Sequence, residues 1–197
     1  LLTVLTVCDV RSVGPDTWNN WKATLIRQLY YETRLILERG GEALNRENRM
    51  AEAKKLLREK LFDWDPKDIK LETGRHYQPY WQGFQIGAQF AFAKLLKNLG
   101  SDEIKIDLTP DTDRDATRIC FALSDHPGIF SRLSGALALV GANVVDARSY
   151  TSKDGFTTAA FWIQDSDGAP YDKSRFSRLR DMIEKTLSGE IITRDAI

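Results

Sequence analysis

The sequence predicts an α+β chain: a helical N-terminal segment, then a four-stranded antiparallel sheet carrying two helices in the order ββαββα. Three observations predict it. Before Ser101, apolar residues recur at the spacing of helical faces. After it, two segments alternate apolar and polar as half-buried strands do. The stretch Asp125–Asp165 then reads as a loop, a helix and a hairpin.

Leu1–Val10 is strongly apolar with one acid, Asp9; it is a buried helix or a buried strand, since periodicity does not separate the two. Val13-Gly14-Pro15 breaks it, and Asp16 or Thr17 is placed to cap a second helix running to about Arg39. On that helix Trp18, Trp21, Leu25, Leu29 and Ile36 share a face. Ile26, Tyr30 and Leu37 widen it, which predicts burial on more than one side. Gly40-Gly41 ends it. A third helix over Arg46–Phe62 has a narrow apolar stripe of Met50, Ala53, Leu57 and Leu61 and an otherwise charged, solvated surface. Asp63–Gln82 reads as a connector anchored by Tyr77, Tyr80 and Trp81. A fourth helix over Gln85–Leu99 stops at Gly100.

Ile104, Ile106 and Leu108 alternate with charged residues in a first strand, Asp102–Leu108. Ile119, Phe121 and Leu123 point inward from a second, Ala116–Ser124. Pro127 and Gly128 open the next helix, where proline's missing N–H is tolerated. Its apolar face is Ile129, Phe130, Leu133, Ala136, Leu137 and Val140, and Gly141 stops it. Asn143–Thr151 and Phe156–Gln164 are strands joined at Asp154-Gly155, a hairpin signal. The last of these carries large apolar groups on both faces, Phe156 and Trp162 on one, Phe161 and Ile163 on the other. One face takes the helices, and the other calls for a partner such as a second module or a symmetry mate. A final helix over Asp172–Leu187 turns Phe176, Leu179, Ile183 and Leu187 inward, and the tail Gly189–Ile197 is a short strand or a linker.

The formal net charge is zero, which gives no electrostatic reason to expect nucleic acid or an anionic membrane as partner. No apolar run reaches the roughly eighteen residues that span a bilayer, and no signal peptide is seen. The two cysteines, Cys8 and Cys120, lie far apart in apolar segments and read as buried, reduced thiols of a cytoplasmic protein. The run Asp111, Asp113, Asp115 imitates a calcium loop. However, Ala116 stands where the glycine belongs and Ala122 where the glutamate belongs, so it reads as a solvated hairpin tip. No Ser/His/Asp set, Cys/His nucleophile, phosphate-binding glycine loop or zinc spacing is present.

Asp125–Asp165 closely resembles the core of an ACT domain, a small ferredoxin-like module that binds amino acids. The D-x-P-G loop (Asp125, Pro127, Gly128) and Gly141-Ala142-Asn143 carry the likeness. Such a module normally runs βαββαβ. Here the extra strand comes first, and antiparallel pairing with Ala116–Ser124 would put it in the edge slot of the missing last strand. Nearly the whole chain is similar to the C-terminal part of the bifunctional uridylyltransferase/uridylyl-removing enzymes of the PII signal protein. TVCDVRSVGPDTWNNWKATLIRQLYYET resembles the end of their HD hydrolase domain, YWQGF and its following helix their connector, and Asp125–Asp165 their first ACT domain.

This resemblance implies HD-domain helices over 1–62, a connector with its helix over 63–101, an ACT domain over 102–190, and a linker over 191–197 toward a second ACT domain. It implies a fragment without the nucleotidyltransferase domain, the His-Asp dyad or the second ACT domain. The parent family uridylylates PII when glutamine is low and deuridylylates it when glutamine is high. Magnesium or manganese serves the parent's catalysis; no cofactor and no catalytic residue are expected in this fragment.

The resemblance makes Asp9 the last metal ligand of an incomplete HD site. Read from the residues alone, Asp9 is a helix-end acid facing solvent or pairing with Arg11. His76, the only histidine before the loop, lies outside any His-Asp pair. The candidate ligand site is Asp125, His126, Pro127, Gly128, Ile129, Phe130 and Asn143. A helix N-terminus offers N–H groups to a carboxylate, Gly128 permits close approach, and the Asn143 amide both donates and accepts. The resemblance points to L-glutamine. The purely structural alternative makes Asp125 an N-cap, Gly128 a turn and Asn143 a loop residue, with the sheet serving ACT–ACT pairing and binding nothing. A third reading is the regulatory region of another HD-type hydrolase. The helix at 85–99 and the YWQGF anchor are the candidate coupling elements.

Overall fold

The computed structural model describes residues 1–14, 17–18, 20–39 and 42–188. Helices occupy Leu2–Ser12 (α1), Asn20–Arg39 (α2), Glu42–Lys60 (α3), Pro66–Arg75 (α4), Gln78–Gly83 (α5) and Ile86–Leu96 (α6). Strands Lys105–Asp111 (β1) and Ala116–Ser124 (β2) precede helix Ile129–Leu139 (α7). Strands Asn143–Thr151 (β3) and Phe156–Gln164 (β4) and helix Phe176–Ser188 (α8) complete the α+β order ββαββα.

The sheet is four-stranded and wholly antiparallel, in the order β1-β2-β4-β3. β1 pairs with β2 from Lys105↔Ala122 to Asp111↔Ala116, so the extra strand does fill the edge slot. Pro110 sits within it, which an edge strand tolerates because no further ladder needs the N–H that proline lacks. β2 and β4 are central and buried along nearly their whole length. The alternation in β2 predicts a half-buried strand, but both its faces are covered. Gly141 at φ 74 and Gly155 at φ 83 adopt the left-handed backbone that ends α7 and turns the hairpin.

On one face α7 and α8 close a core of Ile119, Phe121, Leu123, Leu133, Leu137, Phe161, Ile163, Leu179 and Ile183. Phe121 and Phe161 meet edge to face at 5.8 Å. The other face was expected to await a second module or a symmetry mate. The chain's own helices cover it instead. Leu57 and Leu61 of α3, Tyr80 and Trp81 of α5, and Ala88, Phe92 and Leu96 of α6 pack against Cys120, Ala122, Ala160 and Trp162. Small residues on both surfaces let α6 approach the sheet closely. At Gly83 a Cβ would fall 1.9 Å from the Tyr150 hydroxyl, so any larger residue at the end of α5 would displace the Tyr150 ring from this contact.

Three further expectations are corrected. The segment 63–85 is mostly helical: Asp65 caps α4 by accepting from the Lys67 N–H at 2.8 Å, and Pro66 and Pro79 stand in the first turns of α4 and α5. Leu1–Val10 is a helix with no buried residue, so Cys8 is exposed while Cys120 is buried. The wide apolar face of α2 is also open, with Leu29 65% and Leu37 79% exposed. Asp16, Gly40-Gly41 and the tail after Ser188 lie outside the described residues, as do the side chains of Trp21 and Ile36. No described helix is long and apolar enough to cross a membrane.

Candidate functional site

The loop after β2 carries most of the predicted site. Asp125, Pro127, Gly128 and Phe130 are exposed, His126 is half-buried and Ile129 is buried. Gly128 is the N-cap of α7 at φ 83. No side chain caps the helix, and the space where a Cβ of Gly128 would stand is open. The Ile129 N–H donates to the His126 carbonyl at 3.2 Å, so it is the N–H groups of the next residues in the first turn, with the positive end of the helix dipole, that lie toward the surface. Ile129 inserts into the core, and Phe130 stacks on Phe161 at 5.2 Å. These two contacts fix the helix entry.

Asp125 does not cap α7, as the structural alternative had it. Its carboxylate accepts from the hydroxyls of Thr157 and Thr151, and its N–H donates to the Gly155 carbonyl at 2.8 Å. The loop is thus tied to the β3–β4 hairpin.

Asn143 does not join this loop within one module. It pairs with Gln164, whereas Asp125 bonds to Thr157, seven residues away along β4. At about 3.3 Å per residue the two ends of the sheet stand roughly 23 Å apart. The sequence shows that Asn143 follows α7 but not that α7 runs the length of the strand, so that Asn143 lies at the far end.

The hairpin turn that holds Asp125 also meets α4. Arg75 donates through Nε to Asp154 at 3.0 Å and through Nη2 to the same oxygen. Arg75 Nη1 donates to Glu72 at 3.1 Å, and Glu72 contacts His76 Nε2 at 3.1 Å. The His76 ring lies flat on Tyr80, 3.5 Å between centroids. Glu72, Arg75, His76 and Tyr80 are almost fully buried, while Asp154 is about one-third exposed. Burial alone would raise the Asp154 carboxyl, but hydrogen bonds from Ser152 and Arg75 outweigh it and hold the group below its ordinary value. Burial, with Glu72 adding to it, pushes the Tyr80 phenol well up. Glu72 and Arg75 carry no signal when the segment reads as connector, and His76 stands out only as a lone histidine; their i, i+3, i+4 spacing on a helix is the signal that joins them.

Asp9 is exposed on α1. No group of three or more His, Cys, Asp or Glu side chains converges among the described residues. One exposed carboxylate does not fit the ligand set of a divalent ion, and no chemistry is routed through a metal here. The Asp111–Asp115 turn is less solvated than expected. Asp111 accepts from Trp162 Nε1 at 2.7 Å and from Arg114 at 3.0 Å, and Arg114 lies buried over the Trp162 ring. A cavity of about 480 Å³ between the start of β1 and the C-terminal end of α8 touches the loop only at His126.

No family profile matches the chain. Over its whole length it is 65% identical to the bifunctional uridylyltransferase/uridylyl-removing enzyme of Cereibacter sphaeroides, covering 21% of that protein. It is 62% identical to the enzyme of the same name from Ruegeria pomeroyi, covering 22%. The chain spans about a fifth of the length of the curated relatives it matches. Among solved structures, a formyltetrahydrofolate deformylase from Pseudomonas syringae pv. tomato aligns over 36% of this chain and 24% of its own, at 24% identity and a TM-score of 0.29.

Proposed function

We propose that this chain, which belongs to the bifunctional uridylyltransferase/uridylyl-removing enzyme family, is a regulatory segment whose ACT module binds L-glutamine. The bound state is read by catalytic domains elsewhere in the longer protein. The activity it serves is uridylylation of PII when glutamine is low and deuridylylation when it is high, with magnesium or manganese at the catalytic domains. Residues 102–190 are the ACT module, residues 1–62 are the C-terminal helices of an HD hydrolase domain, in which Asp9 alone makes no complete metal site, and 63–101 is the connector between them. The protein works in the cytoplasm.

The observation that carries the reading is the exposed N-terminus of α7 at Gly128, uncapped by any side chain and open above the glycine. A free amino acid's carboxylate is the ligand such a helix start suits. Asn143 enters from a second module. β3 is the outer strand of the sheet, and antiparallel pairing of two β3 edges would set Asn143 of one beside Thr151 of the other, at the Asp125 end. ACT–ACT pairing thus completes the site. Calorimetric titration with L-glutamine, using L-glutamate and L-isoleucine as controls, tests this. Selective glutamine heat that is lost on Asn143→Ala is the expected result. No heat with any of the three would leave the module a scaffold, and equal heats for all three would contradict its selectivity for glutamine.

A further inference from the structure

Resting on the reading of the Asp125 loop as the ligand site, we infer that Arg75 is its positioning residue. It acts through the β3–β4 turn, and the same junction carries the state of the loop into the helical layer. Four contacts fasten the turn to the C-terminal end of α4. The Lys153 N–H donates to the Arg75 carbonyl at 2.8 Å, and Lys153 Nζ donates to the Gly74 carbonyl at 2.9 Å. These satisfy carbonyls that the helix end leaves unpaired. The Arg75 guanidinium then grips Asp154 through two N–H groups. Its ring-stacking contact, 5.6 Å over Phe156, fixes the plane of the fork.

The other side of the turn holds the loop. Gly155 accepts the Asp125 N–H, and Thr157 donates to the Asp125 carboxylate. Ser152 completes the turn by donating to Asp154 at 2.6 Å and accepting from the Phe156 N–H at 3.0 Å. A shift of Asp125 on ligand binding therefore moves Gly155 and Asp154, and Asp154 is one of the two carboxylates that satisfy Arg75. The other is Glu72, which also holds His76 against Tyr80. Arg75 and Glu72 are 8% and 3% exposed. Asp154 is 35% exposed, but the Arg75 guanidinium that it satisfies is buried and responds to the loss of a partner. Of the expected coupling elements, the YWQGF anchor enters this route through Tyr80, on which His76 stacks, whereas among the described residues no hydrogen bond joins the helix at 86–96 to the loop.

Amide hydrogen exchange on the whole chain tests the inference, with Asp154→Ala and the conservative Asp154→Asn. Without ligand, Asp154→Ala should speed exchange over 125–131 and over 72–84 about tenfold, the effect of losing roughly one anchoring hydrogen bond. Residues 118–122 and 159–162, in the middle of the sheet, should not change, which separates this from global destabilisation. Asp154→Asn, whose amide oxygen still accepts from Arg75, should restore most of the protection. Unchanged exchange over 125–131 in Asp154→Ala, or an Asp154→Asn profile equal to that of Asp154→Ala, overturns the positioning role. With L-glutamine, protection should rise over 125–131 and 72–84 in the parent, but only over 125–131 in Asp154→Ala. Protection of 125–131 alone in the parent overturns the coupling. Protection of neither segment overturns the sensor reading, and the ligand-free comparison still decides what Arg75 does.

Discussion

Replacing Phe92 with alanine probes whether helices and sheet are one folding unit. Phe92 is fully buried on α6, 4.8 Å from the ring of Phe84 and 6.2 Å from Tyr80, and belongs to the cluster that joins α3, α5 and α6 to β2 and β4. Truncating a buried phenylalanine costs about 3–5 kcal/mol from lost transfer energy and the cavity left behind. The tilted contact with Phe84 places the cost in the upper half of that range, since aromatic pairs add about 0.5–1.5 kcal/mol beyond their area. A small domain holds only about 5–15 kcal/mol in total, so the variant should lose a large part of its stability. Urea denaturation by far-UV circular dichroism measures the loss, and hydrogen exchange reports α6 and β4 separately. Protection in β4 should fall with that in α6. A loss under about 1 kcal/mol, well below that range, or a β4 whose protection is unchanged while α6 opens, would refute the idea that the helices complete the core of the sheet.

Other consequences follow from single groups. Gly128 at φ 83 has free space around it, so Gly128→Ala should cost about 1–2 kcal/mol through backbone strain alone; thermal denaturation measures it, and no loss would mean that the left-handed start of α7 is not required. Asp154 is held below its ordinary pKa in the folded chain, so the stability it contributes is full above its unfolded value near about 3.9 and is lost as pH falls through the lower folded value. Melting temperatures taken across that acid window should therefore fall more steeply in the parent than in Asp154→Asn, with Arg75, Glu72 and Lys153 as the charges facing the group. Cys8 is exposed, whereas burial pushes the Cys120 thiol up to about 12. A thiol reagent at neutral pH should thus modify one cysteine in the native chain and both in denaturant. Two rapid modifications without denaturant would contradict the packing of α6 on β2.

What the sequence made legible was local. Asp154-Gly155, Gly141 and the β-branched runs around them place α7, β3 and β4 to within a residue or so, because turns and periodicity are short-range signals. The double-sided burial of Phe156–Gln164 was also readable. Its cause was not, because periodicity reports that a face is buried and not by what. α4 and α5 were missed because each is short and turns few apolar residues inward. Their only strong signals were Asp65-Pro66 and Gln78-Pro79, which mark a turn as readily as a helix start. The site divides the same way. Asp125–Phe130 is continuous in sequence and was found together, whereas Asn143 was assigned to it although the strand register sets it at the opposite end. Arg75 and Asp154 are 79 residues apart and meet only through the packing of helices on the sheet.

The central claim is that L-glutamine is bound where α7 begins. The most direct measurement is a two-dimensional amide NMR titration of the chain with L-glutamine. The account predicts saturable shifts in residues 125–131 and at Asn143, absent with L-isoleucine. No shifts at saturating glutamine, or shifts confined to the cavity beside α8 around Asp102–Ile104 and Glu184–Ser188, would contradict it.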